Sequence, residues 1–250
     1  MVKKGFVSLL ILISFTVFSY GITHIGGGGI RVINSEVNDW VQINYENHNP
    51  ATGIILTETG FISQYLDAYA ESRVRIESGA VHIELRGFND SIIDVNGGHL
   101  GSIFASDQCN LLMLDGSTTN HLMAIENSVV TFGGGTIGTN LWTTGDAQVM
   151  IVGGRIKGDI YAGLFGGSFD RTRISLEGIG FTVNGMPVKS GESIRTYATA
   201  GTDPHGHACL TGTIRGRLLT GDIIDNTFYL FENSDITFTI KNVQPGEIFY

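Results

Sequence analysis

The chain has 250 residues, of which 42% are hydrophobic and 16% are charged, and its formal net charge at pH 7 is −9. An acidic surface repels phosphate backbones, so we expect no nucleic-acid partner. The 35 glycines and only 4 prolines exclude collagen and proline-rich linkers, and they are typical of short strands joined by tight turns.

Residues 1–21 have the form of a secretory signal peptide. Two lysines precede the apolar run Phe6–Phe18, and the small residues Ser19 and Gly21 suit a cleavage site. The alternative is a membrane-anchoring helix, but the apolar run is shorter than the ~20 residues that a span requires. We therefore expect an exported protein, secreted or held at the cell envelope. Its mature form would begin near Ile22 and contain no transmembrane segment.

Residues 55–181 repeat at intervals near 19 residues. Seven copies with an alternating apolar pattern begin at Ile55, Val74, Ile93, Leu112, Val130, Val149 and Ile174. Successive starts are 19, 19, 19, 18, 19 and 25 residues apart, and the last interval contains an insertion around residues 165–169. One copy is too short to enclose a core, so the copies are expected to stack.

Each copy is predicted to contain a strand, a corner and a second inward position. Alternation marks a strand with one buried face, so the first and third residues of each copy should point inward. The third residues are Thr57, Ile76, Val95, Leu114, Phe132, Ile151 and Leu176. We expect positive φ angles, and hence sharp corners, in the glycine column that follows. That column contains Gly97, Gly116, Gly134, Gly153 and Gly178.

These patterns predict an all-β fold, a right-handed parallel β-helix of about seven coils. Neighbouring coils would lie ~4.8 Å apart. Residues 22–54 keep no clean register and are expected to form an N-terminal cap. Residues 182–250 are assigned to the final coils and a C-terminal β cap. Caps are required because an open strand edge invites aggregation.

The repeats with their Gly-Gly corners are followed by Phe181–Val188 (FTVNGMPV) and by Leu210–Asp222 (LTGTIRGRLLTGD). Together these segments resemble secreted β-helix proteins of planctomycete-like bacteria, over most of residues 55–240. The resemblance implies a pectin-lyase-like fold and an exported location. It implies no activity, and we find no catalytic motif in the sequence.

Two polar sets are candidates for metal binding. Outward oxygens on consecutive coils could hold a hard cation, and they belong to Glu77, Asn96 and Asp115. A second set has side chains that can ligate zinc, namely Asp203, His205, His207 and Cys209. A solvated polar ladder and an ordinary loop explain them more simply, so we expect no metal and no cofactor.

The chain has two cysteines, Cys109 and Cys209. In an exported protein such a pair can form a disulfide. The alternative is two thiols that never meet, because one lies within the repeats and the other far downstream. The sequence leaves both interpretations open.

One apolar column recurs on the second strand of the coil, and we call it the apolar ridge. It consists of Phe104, Met123, Trp142 and Tyr161, spaced 19 residues apart. Each follows an isoleucine or leucine that should point inward, so the ridge should point outward. Exposed apolar surfaces mark binding or association sites, and aromatic faces suit sugar rings. The alternative is that the insertion around residues 165–169 or a terminal segment covers the ridge.

The regular coil without a catalytic motif predicts a secreted or cell-surface structural or adhesive protein that is not an enzyme. The alternative is a carbohydrate-binding or carbohydrate-active protein of the lyase or hydrolase type, since the β-helix fold hosts both activities and fold alone does not decide function. The expected partners are polysaccharide, surface or matrix components, or further copies of the chain.

Overall fold

The computed structural model describes residues 21–45, 52–163 and 171–241. The predicted signal peptide, up to residue 20, and the insertion at 165–169 lie outside these ranges. The described residues are nearly all β, with one short 3₁₀ helix at Ile194–Thr196. No helix in these ranges is long and apolar enough to cross a membrane.

In chain order the strands are β1 (Ile22–Ile25), β2 (Gly29–Ile33), β3 (Glu36–Val37), β4 (Trp40–Ile43), β5 (Thr52–Leu56), β6 (Phe61–Ile62), β7 (Tyr65–Ala68), β8 (Arg73–Ile76), β9 (Ala80–Gly87), β10 (Ile92–Ala105), β11 (Asn110–Thr118), β12 (Leu122–Ala124), β13 (Val129–Phe132), β14 (Thr136–Ile137), β15 (Leu141–Thr143), β16 (Gln148–Ile151), β17 (Arg155–Ile156), β18 (Ile160–Ala162), β19 (Arg173–Val183), β20 (Met186–Pro187), β21 (Thr199–Thr202), β22 (Ala208–Leu218), β23 (Ile223–Leu230) and β24 (Asp235–Ile240).

The strands stack in three parallel ladders, which form three faces of one solenoid. The first face contains β1, β4, β7, the ends of β9 and β10, β12, β15, β18 and β23. The second contains β2, β5, β8, the starts of β10 and β11, β13, β16, β19 and β24. The third contains β3, β6, parts of β9, β10 and β11, β14 and β17. Stacked parallel coils about 19 residues apart, in about seven turns, confirm the predicted solenoid.

One continuous apolar core fills the interior. On the first face the inward side chains are fully buried, and they are Val41, Leu66, Leu85, Ile103, Leu122, Leu141, Ile160 and Phe228. The predicted inward residues after the corner are buried on the third face and at the start of the C-terminal region, and they are Ile62, Val81, Leu100, Ile137, Ile156 and Phe181. Each coil therefore contributes to a core that it could not enclose alone.

The predicted inward positions of the first copy are wrong by one residue. Val74 pairs with Ile54 and not with Ile55. Ile54 and Leu56 are buried, whereas Ile55 and Thr57 are half-buried and point outward. Ile54, Ile55 and Leu56 are all apolar, so alternation alone could not decide which residues face the core.

The copy that was predicted to begin at Leu112 is shifted in the same way. Ile93 pairs with Leu111, which is buried, so Leu112 points outward. The register slips by one residue after Val95, and Leu114 is the extra residue, 50% exposed. A bulge of this kind leaves one residue of a strand unpaired, and the periodicity of the sequence does not reveal it.

The glycine column also differs from the prediction. Gly116 is its only member with a positive φ, 90°. In the other copies the positive φ belongs to a neighbouring glycine, as at Gly79, Gly98, Gly135 and Gly154. At Gly134, a Cβ would lie 2.0 Å from the carbonyl oxygen of Leu114 in the preceding coil. Close approach of two backbones, and not a left-handed conformation, therefore requires glycine there.

The parallel ladders begin before the first predicted copy. Strands β1 to β4 lie within residues 22–54, and β1 pairs in parallel with β4. Thr23 and Arg31 stand opposite Val41 and Ile54, at positions where later coils have aliphatic side chains. These polar residues end the apolar core at the N-terminal side.

The C-terminal region leaves the ladders and then returns to them. Strand β19 runs on from the second face and pairs antiparallel with β22, which also pairs antiparallel with β21 and β23. Strands β23 and β24 then complete the ladders beside β18 and β19. The backbone N–H of Gly191 donates to the carbonyl of Phe238, so the chain covers the outer edge of β24 itself.

Candidate functional site

The apolar ridge lies on the outward side of the first face. Phe104 pairs with Met123, Met123 with Trp142, and Trp142 with Tyr161, all in parallel register. The preceding residue of each strand is fully buried in the core. Because successive side chains of a strand point to opposite sides, the four ridge side chains point away from the core.

At its C-terminal end, the ridge is a stack of aromatic rings that continues to Tyr229 of β23. The rings of Trp142 and Tyr161 lie 3.8 Å apart at 9°, and those of Tyr161 and Tyr229 lie 4.9 Å apart at 30°. The rings therefore stack on one another and use their faces for that contact. Sugar rings pack on aromatic faces, so this part of the ridge suits a sugar less well than the sequence indicated.

The first three side chains of the ridge are partly accessible, and the last one is buried. Phe104, Met123 and Trp142 are half-buried, whereas Tyr161 is only 2% exposed. Burial raises the pKa of Tyr161 to about 12, and the charge of Asp159 acts in the same direction. The accessible apolar surface is thus limited to three side chains on three consecutive coils.

A charged network bounds the ridge on its N-terminal side. Arg86 donates to both carboxylate oxygens of the fully buried Asp67, at 2.6 and 2.8 Å. The indole N–H of Trp40 and the hydroxyl of Tyr69 donate to the same carboxylate, at 2.9 and 3.1 Å. The guanidinium carbon lies 4.2 Å from the ring centre of Tyr65. The network satisfies its own charges, so we assign it to stabilising this face.

Three of the four residues considered as zinc ligands, Asp203, His205 and His207, lie together in one loop, and Cys209 lies on β22. One carboxylate oxygen of Asp203 accepts from the backbone N–H groups of His205 and His207, at 3.0 and 2.7 Å. The other lies 3.0 Å from Nδ1 of His207. Burial acts to raise the pKa of Asp203, but the hydrogen bonds from His207 outweigh it and lower the pKa. No group of metal-ligating side chains is arranged around a common centre in the described ranges.

The predicted acidic column is a solvated polar ladder. Glu77 forms an ion pair with Arg75 at 3.3 Å, and both side chains are about half exposed (44% and 54%). Asn96 stands opposite Asp115, whose carboxylate accepts from the backbone N–H of Gly116 at 2.7 Å. The acidic groups of the column, Glu77 and Asp115, thus each have a local partner.

The possible disulfide between the two cysteines is not formed. Both thiols are free, and Cys109 is buried in a corner of the solenoid against Gly87. Cys209 lies on β22, opposite Gly201. The first-face ladder passes from β10 through β12, β15 and β18 to β23, beside which β22 lies. At ~4.8 Å per step, the four steps to β23 alone separate the cysteines by about 19 Å along the axis, whereas a disulfide needs Cα atoms within about 7 Å.

Comparisons of the chain with protein-family models, with curated proteins and with solved structures find no match. The parallel β-solenoid is therefore established by the chain's own strand pairing. Any function has to be argued from the surface of this molecule.

Proposed function

We propose that the chain is a secreted or cell-surface β-solenoid with a structural or adhesive role, and that the open part of the apolar ridge is its contact surface. One observation carries the proposal: Phe104, Met123 and Trp142 remain partly accessible in one column, while the charges of Arg86 and Asp67 on the same face are paired with each other. An apolar surface left open between satisfied polar groups is typical of association sites.

The size of this surface indicates how it would act. Three coils at ~4.8 Å spacing span roughly 10–14 Å. The corresponding area is far below the ~800 Å² per partner that stable interfaces bury. A single contact would be weak, so we infer that attachment depends on many copies acting together.

Export is part of the proposal, and it is supported by the sequence of residues 1–21. The likeness to secreted β-helix proteins of planctomycete-like bacteria, with a pectin-lyase-like fold, belongs to the same proposal. Mass spectrometry of the exported protein provides the test. We expect a mature chain that begins near Ile22, whereas an intact N-terminus would contradict export by cleavage.

A carbohydrate-binding or carbohydrate-active role is the second candidate, and one observation favours it. Asp159 stands beside the stacked rings of Tyr161 and Tyr229, and burial raises the pKa of its carboxyl group. General acids of glycoside hydrolases are carboxyl groups whose pKa is raised in the same direction. That reaction needs a second carboxylate nearby, and the oxygens of Asp203 are already bonded within their own loop.

A polysaccharide-degradation screen, run beside a glycan array on the mature protein, separates the two candidates. The structural or adhesive role predicts that no product is released from any polysaccharide. Release of products that is lost in Asp159→Asn would establish the enzymatic alternative instead. A matched control is Asp94→Asn, which removes a carboxylate from the outward side of the second face.

A further inference from the structure

A row of aromatic rings leads into the apolar ridge from its N-terminal side. The rings of Tyr45 and Tyr69 meet edge to face with their centres 5.2 Å apart, and those of Tyr69 and Phe88 stack at 4.9 Å and 12°. The ring centre of Phe88 then lies 5.8 Å from that of Phe104, the first residue of the ridge. We call the continuous row the aromatic strip, and it consists of Tyr45, Tyr69, Phe88, Phe104, Met123 and Trp142.

The strip crosses from a corner of the solenoid onto its first face. Tyr69 and Phe88 directly follow β7 and β9, and their backbone N–H groups donate to the preceding coil at 3.1 and 2.9 Å. Phe104 lies within β10, where the ridge begins. The six side chains belong to six consecutive coils. At ~4.8 Å per coil the strip is therefore about 24 Å long, roughly twice the length of the open ridge.

The strip is accessible along its whole length. Tyr45 is 55% exposed, and the other five side chains are partly accessible. The hydroxyl of Tyr69 donates to Asp67 at 3.1 Å, so its polar end is used within the molecule. Contiguous apolar rows of this kind mark association surfaces, whereas single exposed apolar side chains are ordinary.

The strip carries no net charge. Arg86 lies beside it and donates to both carboxylate oxygens of Asp67, at 2.6 and 2.8 Å, so the two charges neutralise each other. Other carboxylates flank the strip, at Glu84 on the first face and at Glu71 and Asp90 at the corner. A neutral strip matters for self-association, because charges that meet their own sign across an interface cost free energy.

The outward chemistry of the strip suits another protein surface better than a sugar. Tyr69 and Phe88 use their ring faces on each other, as do Trp142 and Tyr161. The stacked rings therefore present mainly their edges to the outside, together with the thioether of Met123. Ring edges pack well against other rings, and thioether sulfur atoms contact ring edges favourably.

The strip also has the symmetry that a pair of identical chains requires. It consists of two halves of three side chains each, which meet at the contact between Phe88 and Phe104. A two-fold axis at this contact places each half of one copy against the other half of the second copy, which makes an isologous interface. Tyr45 of one copy then faces Trp142 of the second copy, and Tyr69 faces Met123.

We propose that the partner of the apolar ridge is a second copy of the chain, which packs side by side and in the opposite direction along the whole aromatic strip. The inference rests on the proposed function, because the open ridge forms half of the contact. The strip enlarges the contact surface but leaves it below the ~800 Å² per partner that stable interfaces bury, so the pair forms reversibly.

Sedimentation equilibrium of the mature protein tests the proposal. Tyr45→Ser changes the end of the strip furthest from the ridge, and it should raise the dissociation constant of the pair about tenfold, because the pair contains the contact between Tyr45 and Trp142 twice. The matched control is Leu114→Ser, since Leu114 is 50% exposed on the bulge of β11 and lies outside the strip. This control should leave the dissociation constant unchanged.

A double-mutant cycle tests the direction of packing. If Tyr45 faces Trp142, the effects of Tyr45→Ser and Trp142→Ser should not add, because each change removes the same contact. Additive effects would contradict the antiparallel pair. Melting curves followed by circular dichroism confirm that each variant is folded.

The results separate this proposal from the proposed function. Association that is weakened by Met123→Ser but not by Tyr45→Ser would overturn the extended contact and leave the ridge as the contact surface. Equal weakening by Leu114→Ser and Tyr45→Ser would show that the copies meet elsewhere. A mature protein that stays monomeric at every concentration would overturn pairing through the strip altogether.

Discussion

Leu111 and Leu112 are neighbours of the same type on β11, and the structure gives them opposite environments. Leu111 is 3% exposed and faces the core, whereas Leu112 is half-buried and faces outward. Leu111→Ala removes roughly three methylene equivalents from the core, at about 0.8 kcal/mol each. The remaining void raises the expected loss in free energy of unfolding to about 3–4 kcal/mol. Leu112→Ala should reduce it by less than about 1 kcal/mol.

Thermal and urea denaturation, followed by far-ultraviolet circular dichroism, measure both variants. For a chain of this length, Leu111→Ala should lower the melting temperature by about 6–16 °C. An unchanged urea dependence would show that the variants unfold from the same state. A larger loss for Leu112→Ala than for Leu111→Ala would refute the register of β11 and restore the alternation predicted from the sequence.

Three further outcomes are expected. Asp67→Ala should lower the free energy of unfolding by about 3 kcal/mol in urea denaturation, because it leaves Arg86, whose side chain is 21% exposed, without its carboxylate partner. A loss below about 1 kcal/mol would mean that the pair contributes no more than a surface ion pair. Iodoacetamide at pH 8 should label Cys209 before Cys109, since burial raises the pKa of the Cys109 thiol to about 11; an intact mass lacking two hydrogens would instead reveal a disulfide. The free energy of unfolding should fall as the pH rises from 10 to 12, because an unfolded tyrosine ionises near 10 while the pKa of buried Tyr161 is about 12. Tyr161→Phe should weaken this pH dependence. An unchanged alkaline profile in that variant would contradict the raised pKa of Tyr161.

The fold could be predicted because the sequence repeats its apolar pattern at intervals of about 19 residues. Val74, Ile93, Val130 and Val149 follow the coil spacing, and stacking is the one arrangement that buries all of them. The register could not be predicted where consecutive residues are apolar, as around Leu111, because either parity satisfies the pattern. The bulge near Leu114 depends on how two coils fit together, which a single sequence does not contain.

The candidate site could be predicted only where it follows the coil spacing. Phe104, Met123 and Trp142 do so, and the sequence placed them in one column. Trp40 and Asp67 are 27 residues apart, so their hydrogen bond was not visible as a repeat. Tyr229 follows β22 in the chain and does not continue the 19-residue spacing. It reaches the ring stack because β23 pairs with β18, and the sequence does not show that pairing.

Sedimentation velocity over a range of protein concentrations tests most directly whether the apolar ridge is a contact surface. Met123 and Met150 are both half-buried outward methionines in the middle of the solenoid, on the first and second faces respectively. We expect the mature protein to associate in a concentration-dependent manner, and we expect Met123→Ser to abolish this association and Met150→Ser to retain it. Equal behaviour of the two variants, or a monomer at every concentration with unchanged binding on the glycan array, would contradict it.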